Sequence, residues 1–91
     1  MTTTTFAIGQ TVYQVDGDWS NGRTIEHDFP VRDSLADAQD DAREWLATHT
    51  DNERARVKSL FVRSYEIDQM GESASDGIES MHSTGCAATI I

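Results

Sequence analysis

Ser, His and Asp, the residue types of a nucleophilic triad, all occur in this 91-residue chain. No nucleophile elbow or other catalytic signature frames them. Catalytic residues are therefore not assigned, and an enzyme is not expected. Gly9 and the Gly17/Gly22 pair match neither a dinucleotide-binding loop nor a P-loop. His82 and Cys86 are four apart, which would align them on one helical face, and His27 and His49 complete a conceivable zinc set. That spacing fits no zinc module and falls in a Ser/Gly-rich stretch, so neither a metal nor another cofactor is expected. Cys86 is the only cysteine, which excludes an internal disulfide, and no basic residue stands near it in sequence to activate the thiol.

Three features could bind rather than react. Asp37, Asp40, Asp41 and Glu44 form one stripe of a predicted helix. They place four carboxylates along about 10 Å. As a solvated face they need no further explanation; as a recognition surface they could compete for the lysines and arginines that hold DNA. Arg54, Arg56, Lys58 and Arg63 gather four of the seven basic residues. They either pair with the helix acids or line a solvated strand edge, or they make a small patch able to touch a guide RNA backbone or an acidic protein surface. Trp19, in the acidic turn between Asp18 and Ser20, either folds into the core or anchors a partner.

The elements that must position these residues follow from periodicity. Residues 4–15 read as one bent strand or two short ones, with the bend at Gly9. Asp16–Gly22 is dense in turn formers, and Gly17 and Gly22 can take positive φ. In residues 24–29, Ile25, His27 and Phe29 alternate with Thr24, Glu26 and Asp28, so a half-buried strand and a hairpin with the first run are expected. Pro30 ends that ladder.

The helix spans 34–48. Leu35, Ala38, Ala42, Trp45, Leu46 and His49 share its apolar stripe, which makes Trp45 a core residue. Ser34 is its expected N-cap, worth about 1 kcal/mol, with Asp37 in the capping-box position.

Val57–Ile67 reads as a central strand. Val57, Phe61, Arg63, Tyr65 and Ile67 lie on one side, and Leu60 and Val62 on the other. Residues 69–83 have no period and are expected to form a mobile loop or tail of little stability. Ala87–Ile91 either adds a short strand or frays. The expected fold is therefore α+β, a small antiparallel sheet from residues 4–15, 23–29 and 55–67 with one amphipathic helix packed on it, as a single domain over 1–91.

Charge narrows the partners. The chain carries 16 acidic and 7 basic residues, net −9, and after Arg63 it has no Lys or Arg. Free DNA is thus a poor partner, and a basic protein that normally holds nucleic acid is a better one. No apolar run approaches the ~18 residues of a membrane span, and no basic start leads into an apolar signal segment.

The Thr-rich start MTTTTFAIGQTVYQVDGDW, the helix SLADAQDDAREWLATH and the strand RVKSLFVRSYEID, in an acidic α+β chain of this size, resemble phage-encoded anti-CRISPR proteins of the type I class, the type I-F group among them. The resemblance implies a non-enzymatic inhibitor in the bacterial cytoplasm. It implies binding to the subunits of an RNA-guided surveillance complex, which blocks target DNA hybridisation or nuclease recruitment. These proteins share no common motif, so the partner-binding residues Asp37, Asp40, Asp41, Glu44, Arg54, Arg56, Lys58 and Trp19 rest on charge and exposure alone. The alternative is a small acidic structural or regulatory phage or bacterial protein acting through another protein partner or through self-association, for example at an open strand edge.

Overall fold

The structure, a computed structural model, describes residues 6–72 and 76–91. It is an α+β fold with element order β1 (Thr11–Trp19), α1 (Leu35–Ala47), α2 (Asp51–Arg54), β2 (Val57–Met70) and β3 (Ile78–Thr89). The three strands form one antiparallel sheet with β2 in the centre.

α1 forms where the 3.6-residue period placed it. Ala38, Ala42 and Trp45 are buried, and Leu35 and Leu46 pack against the same cluster. They meet Val15 of β1 and Val57, Leu60 and Val62 of β2, with Ile25 and Phe29 closing the side. A second cluster of Phe6, Val12, Ile67 and Ile78 lies on the opposite face of the sheet. Val12 and Val15 pair across the ladder with Tyr65 and Val62, so alternate residues of β1 feed the two faces. β2 is thus fully covered on the helix side and partly on the other, as its two-sided apolar pattern predicts.

Several expectations need correction. The first strand occupies 11–19 rather than 4–15. Gly9 has φ +84 and Gln10 N–H donates to the Ala7 carbonyl, so the chain turns sharply before β1 begins. Residues 4 and 5 lie outside the described residues. The run Asp16–Trp19, read as turn, continues β1 opposite Phe61 to Val57. Residues 24–29 make no strand, and Phe29 N–H donates to the His27 carbonyl in a tight turn; isolated bridges at Asp18–Thr24 and Tyr13–Arg32 tie the strap of residues 24–32 to the outer edge of β1. Ile25 and Phe29 are buried, whereas His27 on the same predicted face is exposed. Val57 belongs with Leu60 and Val62, not opposite them, because the register shifts between Asp18 and Trp19.

The expected loop over 69–83 is corrected at 69–70 and 78–83, while Gly71, Glu72, Asp76 and Gly77 belong to no strand. β2 runs to Met70 and β3 begins at Ile78, so residues 78–83 are strand; residues 73–75 lie outside the described residues. Residues 87–89 of the expected final strand are instead the end of β3, and Ile90 and Ile91 follow it with backbone bonds to Leu60. A second short helix, α2, also appears, with a complete Thr50–Glu53 capping box. Ser34 has the extended N-cap backbone, but its side chain makes no capping bond, so the predicted hydroxyl contribution is absent.

Candidate functional site

The helix acids do not act as one set. Asp41 is drawn inward: Arg32 Nε and Nη2 donate to its two carboxylate oxygens at 2.7 and 2.9 Å. The Asp41 side chain keeps only 13% exposure, and the pair clamps the strap to α1. That hydrogen bond also raises the pKa of Arg32. Asp37, Asp40 and Glu44 remain exposed along the helix, with Asp40 in a loose 3.4 Å pair with Arg43.

The basic segment is divided as well. Arg54 turns back under α1, where Nη1 donates to the carbonyls of Leu46 (3.1 Å) and His49, and Nη2 pairs with Asp51. It thereby ties α2 to the end of α1, adding a second donor at the Leu46 carbonyl, which already accepts from His49 N–H, and reaching the His49 carbonyl just beyond the helix. Arg63 lies over the Phe61 ring at 5.1 Å and 3.3 Å from Asp16, with Ser83 beside it across the sheet. Arg56 and Lys58 stay exposed. Arg54→Ala is expected to lower stability by about 1–2 kcal/mol, measured by urea unfolding, because the charged donor that ties α2 to the end of α1 is lost and the His49 carbonyl loses its bond to it. Loss of partner binding without loss of stability would instead make Arg54 a contact residue.

Trp19 takes both roles that its sequence position allowed. It is half-buried, with its ring 5.6 Å from that of Trp45 at 53°, and it also lines a surface groove. The groove has a volume of about 680 Å³ between the strap and the C-terminal half of α1. Trp45, His27 and His49 complete its aromatic wall. The His49 ring lies 4.1 Å from Trp45, and its Nδ1 is 2.6 Å from the Trp45 carbonyl. A carbonyl only accepts, so Nδ1 carries the hydrogen of that bond. A second depression of about 540 Å³ shares Trp19 and Arg23 with the groove and is bounded by Ser20, Asn21, Glu53 and Arg56.

Nothing in the local sequence signals this groove as a whole. Trp45 and His49 are one helical turn apart, but no short-range pattern brings Trp19 and His27 to them. The zinc set does not converge: His27 and His49 belong to the groove, and His82 bonds Asp68 at 2.7 Å. His82 and Cys86 stand on a strand, about 13 Å apart along it rather than one helical turn. Among the described residues no helix is long and apolar enough to cross a membrane. The Tyr65 hydroxyl has its pKa raised from 10.0, mainly by burial and then by Asp16.

A small antiparallel α+β domain with an acidic helix face and an aromatic groove is thus the class that fold and surface define. The chain matches no family model, no characterised protein and no solved structure.

Proposed function

We propose that this chain is a stoichiometric, non-catalytic inhibitor of a type I CRISPR RNA-guided surveillance complex, acting in the bacterial cytoplasm. Its resemblance to type I anti-CRISPR proteins motivates the reading, and one observation carries the mechanism. Asp37, Asp40 and Glu44 project from one exposed stripe of α1 in a chain of net charge −9. Carboxylates spaced over about two helical turns present a negative row at the scale of several ångströms, comparable to a nucleic-acid backbone. Subunits that hold DNA through Lys and Arg would take that row in its place, which blocks target DNA binding or hybridisation. Arg56 and Lys58 form a secondary surface for the guide RNA backbone.

The test is the triple reversal Asp37→Lys, Asp40→Lys and Glu44→Lys. Binding to a purified type I complex should weaken by about 10-fold or more, and parent binding should itself fall as salt rises. The circular dichroism spectrum should not change, since all three side chains are exposed. Binding that survives this reversal but fails when Arg56 and Lys58 are neutralised would replace acidic mimicry with a guide-contacting surface. A parent protein that neither binds the complex nor blocks its target DNA would remove the reading altogether.

A second reading has its own observation. β3 pairs with β2 alone, so its other edge is open among the described residues. Self-association there would join two sheets into one, and light scattering on the free protein distinguishes it from a monomeric inhibitor.

A further inference from the structure

We infer that the Trp19 corner of the groove is a nucleotide site, taking a planar base against the indole and its phosphate on Arg23 and Arg56. Both arginines are fixed around Trp19 by backbone bonds. Trp19 N–H donates to the Arg23 carbonyl at 2.8 Å, and the next amide, Ser20 N–H, donates to the Arg56 carbonyl at 2.7 Å. The backbones of both arginines therefore meet at Trp19, and both residues line the same depression as its ring, although they are 33 positions apart in sequence.

Charge favours an anion at this corner. The chain has 16 acidic residues for 7 basic ones, yet Arg23 and Arg56 make no ion pair among the described residues. The acid that shares the depression with them, Glu53, makes its hydrogen bond in the capping box, where Oε1 accepts from the Thr50 amide at 2.9 Å, and it reaches Arg56 through charge alone, without an ion pair. Unpaired guanidiniums match phosphate oxygens in a planar fork. A sequence-tolerant base is held by stacking on an aromatic face, worth about 1–3 kcal/mol. The depression lined by Trp19, Arg23 and Arg56, of about 540 Å³, falls within the ~300–1,000 Å³ range of small-ligand sites. His49, packed on Trp45, stiffens the wall behind the ring.

The site is distinct from the acidic stripe of α1. It shares Arg56 with the secondary surface, but nucleotide binding is read on the free protein, so its failure is distinguishable from failure of the acidic-stripe test. It is also compatible with net −9, because long-range repulsion is screened beyond about 10 Å at 0.1 M salt while a contact pair is not.

The chain's 2 tryptophans, Trp19 and Trp45, both line the groove, so intrinsic fluorescence reports on it directly. AMP, a short oligoadenylate and inorganic phosphate are titrated separately, with excitation at the red edge of indole absorption. AMP and the oligoadenylate should quench saturably, and phosphate alone should not. The exposed double variant Arg23→Ala, Arg56→Ala should bind AMP about 10-fold more weakly with an unchanged circular dichroism spectrum. Trp19→Phe should keep binding but lose much of the quenching. Quenching by the oligoadenylate only would overturn the free nucleotide as the bound unit and put a single strand in its place. No saturable quenching by either ligand, equal affinity in the double variant, or displacement of AMP by an equal concentration of phosphate would each overturn the inference.

Discussion

Trp45→Ala is expected to lower the free energy of unfolding by about 3–5 kcal/mol. Trp45 is 7% exposed and sits where α1, the strap and the end of β1 meet. Its ring centroid lies 6.1 Å from Phe29 in an edge-on contact, 5.6 Å from Trp19 and 4.1 Å from His49. Truncation removes the buried area and those ring contacts together, and the sheet beneath cannot collapse into the space. Domains of this size are stable by about 5–15 kcal/mol, so a large part of the margin goes. The melting temperature should fall by more than about 10 °C. Trp45→Phe, which keeps a ring in place, should lose less than half as much. An alanine variant that melts within a few degrees of the parent would mean that a different face of α1 is buried.

How much was legible depends on whether an element's pattern is local. α1 and β2 carry their own signal: apolar residues at helical spacing in one, and at both phases of a strand in the other. β3 carries almost none. Of Ile78–Thr89 only Ile78 is buried, so no burial period is imprinted on the strand. It exists because β2 offers a ladder, and that partner is not visible in the residues of β3 themselves. The register shifts at four places along the β2–β3 pair, which blurs alternation further. The strap failed the other way. Its alternation is real, and Ile25 and Phe29 are buried, but two isolated bridges are all the ladder pairing that β1 gives it.

The surface shows the same division. The exposure of Asp37, Asp40 and Glu44 follows from their helix stripe. The withdrawal of Asp41 does not, because its partner Arg32 lies in the strap, outside the helix. Arg54 looked like part of a basic patch because its three neighbours in that patch were near in sequence. The carbonyls that claim it come into reach only once α1 ends against α2. The groove required four aromatic residues from three segments, and only the Trp45–His49 spacing hinted at it.

Gly17→Ala is expected to destabilise by about 2–3 kcal/mol, although Gly17 is not a turn residue. In sequence it stands among turn formers and reads as a positive-φ position. In the structure the positive-φ glycines are Gly9, Gly22, Gly77 and Gly85, and Gly17 lies inside β1 opposite Leu60. Its need for hydrogen in place of a side chain is one of space. A Cβ there would run into the Ser59 carbonyl oxygen, with Ile25 Cδ1 at 2.9 Å and Leu60 Cα at 3.2 Å. The Ile25 methyl can rotate away, but the backbone of the central strand cannot. The strands must then separate or Ile25 must leave the core, and overpacking of this kind costs about 1–3 kcal/mol, occasionally more. Gly22→Ala provides the contrast. Gly22 has φ +88, and a methyl added there would meet nothing within 4 Å. Only the backbone conformation opposes that change, at about 1 kcal/mol. Urea unfolding of the two variants should rank Gly17→Ala well below Gly22→Ala in stability. The reverse order would mean that residues 16–19 form the turn that their composition suggests, and that β1 ends before Gly17.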